Sequence, residues 1–179
     1  MIARADALGV AEKVLDRLNL YTERAVIAGS LRRGKAQAKD IEIVAEPIEL
    51  SEGLFGTERL SLTEIRELAG RLGKVVKRGD RYIQIDDTLN SGITTDLFLV
   101  HPPAEWGVQM VIRTGPAEFS RELVTRIKGR LWRCQDGWVR DERGERVPCP
   151  TEEDFFQAAD IEYLEPQERS PDRIRELSR

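Results

Sequence analysis

Lys39-Asp40-Ile41-Glu42-Ile43-Val44 is the stretch of sequence that decides the fold and the candidate chemistry of this chain. Acidic and apolar residues alternate in it, and this pattern predicts a half-buried β-strand. Because residues two apart share one face of a strand, Asp40 and Glu42 project together while the isoleucines beside them point into a core. Neighbouring carboxylates repel each other unless they are exposed, protonated or neutralised by a cation, and Mg²⁺ prefers such oxygen ligands.

A third acid, Asp96, lies in a second predicted strand, Ile93 to Val100, again among apolar residues. If the two strands are neighbours, Asp96 lies opposite the first pair at a cross-strand spacing of about 5 Å. Three carboxylates would then converge, a geometry that can hold two divalent ions about 4 Å apart. Each acid taken alone is equally consistent with an outward-facing strand residue.

The segment Gly29-Ser30-Leu31-Arg32-Arg33-Gly34 precedes the acids and follows a short apolar run, Ala25 to Ala28, which predicts a buried strand. A Gly-Ser turn at the start of a helix offers main-chain N–H groups and a hydroxyl to phosphate oxygens, and a following arginine can clamp a phosphate with two hydrogen bonds. The alternative is an ordinary helix N-cap.

The remaining patterns predict an α+β fold with a mixed β-sheet flanked by helices, followed by a smaller α/β part. Helical spacing predicts helices from Asp6 to Leu20 and from a capping box at Ser61 to Gly73. A hairpin is predicted around Gly79-Asp80, and the first lobe is expected to end near Trp106.

The C-terminal part begins with a helical segment that starts at Thr114-Gly115-Pro116 and runs to about Ile127. Short strands are predicted around Trp132 and Trp138, whose rings either pack a small core or stack on bases. Thr151 predicts a helix cap, and the polar tail from Pro166 is expected to fray.

Composition narrows the class of protein. Hydrophobic residues make up 40% of the 179 residues and charged residues 34%, and no apolar run approaches the roughly 18 residues that span a bilayer, so we expect no membrane protein. The N-terminus lacks a basic and apolar leader, which predicts a cytoplasmic location. Cys134, Cys149 and His101 do not have zinc-ligand spacing. Net charge is −4, yet residues 108–140 carry seven basic and three acidic residues, a local balance that permits a nucleic-acid partner.

The motifs resemble those of the DNA polymerase X family, the polymerase beta-like branch of the nucleotidyltransferases. The resemblance rests on the Gly29–Gly34 and Lys39–Val44 motifs, on Thr95-Asp96-Leu97-Phe98-Leu99-Val100, on Arg113-Thr114-Gly115-Pro116, and on the C-terminal end from Pro150 to Pro166. It implies a nucleotidyltransferase palm over residues 1–107 and a thumb over residues 108–179, without the lyase domain of larger members.

The resemblance also implies roles for individual residues. Asp40, Glu42 and Asp96 would be catalytic and would hold two Mg²⁺ ions, with Mn²⁺ as a possible substitute and with Asp96 nearest the primer 3′-hydroxyl. It further implies a cis peptide at Gly115-Pro116. The residues implied in nucleotide binding are Gly29, Ser30, Arg33, Gly115 and Ser120, and those implied in nucleic-acid binding are Arg121, Arg126 and Lys128.

Three positions depart from the family pattern. Glu42 replaces the more common aspartate, Thr94 stands where polymerase beta has an arginine near the last catalytic acid, and Ile112-Arg113 replaces an aromatic pair. In the same order, these departures bear on the geometry of the metal ligands, on proton transfer from the 3′-hydroxyl and on discrimination between ribose and deoxyribose.

We therefore expect a monomeric enzyme that transfers nucleoside monophosphates from nucleoside triphosphates to the 3′-hydroxyl of DNA, in gap filling or repair. The alternatives are a template-independent nucleotidyltransferase and a non-catalytic nucleic-acid-binding module. All three carboxylates are present, which disfavours the last of these.

Overall fold

The computed structural model describes residues 1–48 and 60–177, and the chain folds into two compact units. The first comprises Met1–Leu31 and Lys35–Val100, and the second comprises Arg32–Gly34 and His101–Arg179. The main segment of the second unit begins at His101. The boundary at residue 107 between a palm and a thumb stays a prediction.

The predicted α+β class with a mixed sheet is confirmed. The elements up to the end of the first unit are, in chain order, β1 (Ile2–Ala3), α1 (Arg4–Leu18), β2 (Thr22–Ile27), α2 (Gly29–Arg32), β3 (Gln37–Ala38), β4 (Asp40–Pro47), α3 (Leu60–Leu72), β5 (Lys74–Arg78), β6 (Tyr82–Asp86), a 3₁₀ turn (Thr88–Asn90) and β7 (Thr94–Leu99). The elements that follow are α4 (Trp106–Thr114), α5 (Ala117–Gly129), β8 (Arg133–Gln135), β9 (Trp138–Arg140), β10 (Arg146–Val147), α6 (Glu152–Ala158), a 3₁₀ turn (Pro166–Glu168) and α7 (Pro171–Glu176).

The five-stranded sheet of the first unit has the order β2-β4-β7-β6-β5. Strands β4 and β7 run parallel, and the other neighbours are antiparallel. Alternation along β4 sends Ile41 and Ile43 into the core, where both are fully buried with residues of α1 and α3. The opposite sheet face carries the acids, so the predicted division of β4 into an apolar and an acidic face is confirmed.

One predicted helix start in this unit is wrong in detail. Helix α3 already includes Leu60, so Ser61 lies inside the helix rather than at its cap. The Ser61 hydroxyl instead donates a hydrogen bond to the carbonyl of Ile48, a residue distant in the chain. The predicted hairpin is confirmed as β5 and β6.

The second unit packs α4, α5, α6 and α7 with a three-stranded antiparallel sheet in the order β10-β9-β8. Its core contains Phe119, Phe155 and Phe156, all fully buried. The short strands and the Thr151 capping box are confirmed, whereas helix α4 was not predicted.

Two expectations about the second unit are wrong. Residues 166–177 do not fray, because Arg169 and Ile174 are only 2% and 1% exposed and anchor this segment to the core. The peptide bond at Gly115-Pro116 is not cis; among residues 1–48 and 60–177 the cis bond is at Pro102-Pro103. Pro116 is the N-cap of α5 and has extended backbone angles (φ −59°, ψ 154°).

Within the described ranges, no helix combines the length and the apolar character needed to cross a membrane.

Candidate functional site

The predicted acids lie on one face of two adjacent strands in the first unit. In the parallel pairing of β4 with β7, Glu42 is opposite Asp96 and Asp40 is opposite Thr94. Neighbouring strands are about 4.8 Å apart, so the backbone brings all three acids to one small area. The expectation that their strands are neighbours is confirmed.

Asp96 is held by two donors from the next strand, β6. The Tyr82 hydroxyl donates to Asp96 Oδ1 at 2.7 Å, and Gln84 Nε2 donates to the same oxygen at 2.9 Å. Gln84 is the direct cross-strand partner of Asp96, and Tyr82 pairs with Phe98. Sequence reasoning did not identify these donors; the alternation of Tyr82 and Gln84 with isoleucines was the signal that they share a face with Asp96.

Glu42 lies against the Gly29 turn. Gly29 has a left-handed backbone (φ +60°), and a Cβ added to it would overlap the Glu42 carboxylate. The Ala28 N–H also donates to the Glu42 carbonyl at 2.7 Å, which links this turn to β4. Glycine is therefore required at position 29 for both its conformation and its lack of a side chain.

Whether these acids could hold a metal ion depends on the chemistry of their side chains and on how those side chains are arranged. Oxygen ligands on adjacent strands are the correct chemistry for Mg²⁺. However, among residues 1–48 and 60–177 no group of three or more acidic, histidine or cysteine side chains is arranged to hold a metal ion. The Glu42 carboxylate is directed against Gly29, and Oδ1 of Asp96 accepts its two hydrogen bonds from β6. The three acids thus share a face without forming a ligand set in these side-chain conformations.

In the second unit, Arg32 and Arg169 converge on Glu152. Arg32 donates to both Glu152 oxygens, at 2.8 and 2.5 Å, and Arg169 donates to Oε1 at 2.7 Å. Burial alone would raise the pKa of Glu152, but the hydrogen bonds from the two arginines outweigh it and hold this pKa below its ordinary value. The same pairing raises the pKa of Arg32 against the opposing effect of its burial.

The residues predicted to bind nucleotide in the second unit have protein partners. Arg33 Nη1 donates to the Thr114 carbonyl. Ser120 is 8% exposed, and its hydroxyl donates to the Ile112 carbonyl at 3.0 Å. A Cβ on Gly115 would lie 2.5 Å from Cδ1 of Phe119, so this glycine allows α4 and α5 to meet closely. Their nucleotide-binding roles stay predictions.

The residues predicted to bind nucleic acid divide into two kinds. Arg121 and Lys128 are exposed on α5. Arg126 instead donates to the carbonyls of Ala159 and Asp160, both at 3.2 Å, and so satisfies main-chain acceptors at the end of α6. This contribution of Arg126 to packing was not foreseen, and its nucleic-acid-binding role stays a prediction.

An exposed row of arginines crosses the small sheet of the second unit. Arg140 pairs in register with Arg133 on one side and with Arg146 on the other, and all three are exposed. We call these three residues the arginine row. Arg146 forms an ion pair with Glu105 at 2.7 Å. Like charges directly opposite one another are unfavourable, so the row favours an anionic partner.

Two tryptophans, one just before this sheet and one within it, have different environments. Trp132 packs against the core, and its indole N–H donates to Glu142 at 2.7 Å. Trp138 lies on the face of the arginine row, with the Arg140 guanidinium 4.0 Å from its ring centroid. Sequence reasoning missed the row because cross-strand neighbours depend on the register; the alternation of Arg133 with Gln135 around a core-facing cysteine was the available signal.

Residues 109–170 match the family model of the DNA polymerase beta thumb. The matched range begins within α4, includes α5, the small sheet and α6, and ends one residue after Arg169. Residues 109–170 are therefore similar to a polymerase beta-type thumb, in agreement with the sequence resemblance to the DNA polymerase X family. A search of curated proteins found no match to the chain.

Proposed function

We propose that the chain is a metal-dependent nucleotidyltransferase, most closely a small DNA polymerase that adds nucleoside monophosphates to a DNA 3′-hydroxyl. The observation that carries the proposal is the register that brings Glu42 opposite Asp96, with Asp40 two residues away on the same face. The thumb match supports a polymerase-related protein at the level of the family. The first unit is, in this proposal, the catalytic palm.

The proposed reaction joins the 3′-oxygen of a primer to the α-phosphorus of a nucleoside triphosphate. The hydroxyl loses its proton to solvent, the new phosphorus–oxygen bond forms, and the bond from the α-phosphorus to the pyrophosphate oxygen breaks, releasing pyrophosphate. Mg²⁺, when bound, supplies charge neutralisation at the phosphates and at the attacking hydroxyl. Asp40, Glu42 and Asp96 would hold these ions, which requires Glu42 to turn away from Gly29.

The chain's other residues would bind and orient the substrates. Main-chain N–H groups and the hydroxyl at Gly29 and Ser30 suit the β- and γ-phosphates. Arg33, Gly115 and Ser120 are the further nucleotide-binding candidates that the resemblance supplies. The arginine row, together with Arg121 and Lys128, is our candidate surface for the DNA phosphates. Catalysis in this proposal comes from positioning and charge neutralisation, without a covalent intermediate.

The test is extension of a labelled primer in a gapped duplex with Mg²⁺ or Mn²⁺. Asp96→Asn should lower the rate at least about 100-fold, because it removes one negative charge from the proposed ligand set. Glu46→Gln is the control: it removes an acid from β4, the strand of Asp40 and Glu42, but one that pairs with Arg24 at 2.7 Å, and it should leave the rate unchanged.

The identity of the added nucleotide separates the proposed activity from its alternatives. Addition that follows the template base supports a polymerase. Untemplated addition would indicate a tailing enzyme, and a folded chain that extends no primer with either ion would contradict a catalytic role.

A further inference from the structure

The hydrogen bonds to Asp96 are directional and converge on one oxygen. Tyr82 and Gln84 donate to Oδ1 from the same strand and the same sheet face. A carboxylate that was only an outward-facing strand residue could be solvated by water. Two protein donors on one oxygen instead restrict the rotation of the side chain, and they fix which oxygen is engaged.

Both donors are themselves held in position. The Tyr82 ring stacks on Phe98 with centroids 5.2 Å apart and an angle of 19° between the planes. Lys77 Nζ lies 5.5 Å from the Tyr82 ring centroid, on a neighbouring strand. Gln84 is in the hydrogen-bonded ladder between β6 and β7. The donors therefore hold Asp96 with little further loss of side-chain entropy.

The neighbouring side chain in the Asp96 strand has a different partner. Thr94 stands where the family resemblance placed an arginine near the last acid, but its hydroxyl donates to Asp86 Oδ1 at 3.0 Å. In this chain, the described donors to Asp96 thus come from β6 rather than from its own strand.

We propose that Tyr82 and Gln84 are positioning residues for Asp96: they hold Oδ1 and so fix the orientation of the carboxylate that would bind a divalent cation. This inference rests on the proposed function, in which Asp96 is a metal ligand. Neither residue contacts substrate in this proposal; both act through the carboxylate. Neither was among the site residues predicted from the sequence.

The experiment compares Tyr82→Phe, which keeps the stacked ring and removes the donor, with Gln84→Met, which keeps the side-chain length and removes the donor. Each should lower kcat for primer extension about tenfold, the equivalent of one hydrogen bond to a charged group, while the KM for the nucleotide changes less than about twofold. Mn²⁺ affinity, measured without substrate by electron paramagnetic resonance, should weaken about tenfold in both variants.

Two further variants separate positioning from packing. Tyr21→Phe removes a tyrosine hydroxyl elsewhere in the first unit and should change neither readout. Gln84→Glu keeps the size of the side chain but replaces the donor by an acceptor that repels Asp96, so it should lower kcat at least as much as Gln84→Met does. A packing contribution alone would respond similarly to both substitutions at position 84.

The variant Asp96→Asn separates a failure of the proposed function from a failure of the positioning role. If Asp96→Asn removes activity and Mn²⁺ binding while Tyr82→Phe and Gln84→Met keep wild-type kcat and affinity, the positioning role is refuted and the proposed function stands. If Asp96→Asn itself leaves both readouts unchanged, the proposed function fails and the positioning role fails with it. Unchanged circular dichroism spectra establish that each variant is folded.

Discussion

Replacement of Glu152 by glutamine should destabilise the second unit strongly, because it removes the one carboxylate between two arginines. The Arg169 side chain is fully buried, and the Glu152 side chain is only 10% exposed. Glutamine retains the size of the side chain and one acceptor oxygen, but not the negative charge. Arg32, half-buried, and Arg169, fully buried, would then remain as neighbouring cations without that negative charge.

The expected magnitude follows from the burial of the network. Removing one partner of a buried ion pair costs about 3–5 kcal/mol, since the remaining charge is left uncompensated. The half-buried position of Arg32, 22% exposed at its side chain, favours the lower end of that range. With a denaturant slope of about 2 kcal/mol per molar urea, the unfolding midpoint should fall by roughly 1.5 M.

Tryptophan fluorescence is a selective assay for this unit, because Trp106, Trp132 and Trp138 are all three of the tryptophans and all lie in it. Urea titration of wild type and Glu152→Gln should show the shift. Glu153→Gln is the matched control: the same change one residue later, on the exposed side of α6, should alter stability by less than about 0.5 kcal/mol. Equal midpoints for the two variants would refute the assigned importance of the network.

Four other outcomes are expected. The pKa of Glu152 is lowered in the folded protein, so its ionised form contributes stability above pH 4.5, the ordinary pKa, and this stability is lost as pH falls through the lower folded pKa. Wild type should therefore lose more stability on acidification than Glu152→Gln. Parallel curves of stability against pH for the two proteins would contradict this. Burial, with Glu105 nearby, raises the pKa of Cys149 to about 12, so its alkylation at pH 8 should be far slower in the folded than in the urea-unfolded chain. Gly107→Ala should severely destabilise the second unit, because the added Cβ overlaps a main-chain carbonyl. Gly70→Ala adds its Cβ in open space on a helix, so it should stabilise the first unit by about 1 kcal/mol. Thermal unfolding of both variants and of wild type measures these changes in stability. Arg140→Gln should weaken oligonucleotide binding and reduce the slope of log affinity against log salt by about one, and an unchanged slope in fluorescence anisotropy would remove the arginine row from the DNA surface.

Much of the first unit was predictable because its signals are local. Alternation in β4 predicted both the strand and the face that carries Asp40 and Glu42, and the structure confirms both. The hairpin of β5 and β6 and the Thr151 capping box were likewise predicted from neighbouring residues. The prediction of a frayed tail failed because distant contacts decided the outcome: the segment after Pro166 is polar along the chain, but the buried Arg169 and Ile174 anchor it.

The sequence by itself determined which residues face a core and which acids project together, because the period of a strand depends only on adjacent residues. Only the tertiary structure decided which side chains meet: that Tyr82 and Gln84 hold Asp96, that Arg32 finds Glu152 at a separation of 120 residues, and that three arginines align across three strands. Strand register and long-range packing set these partners, and neither is encoded in the spacing of nearby residues.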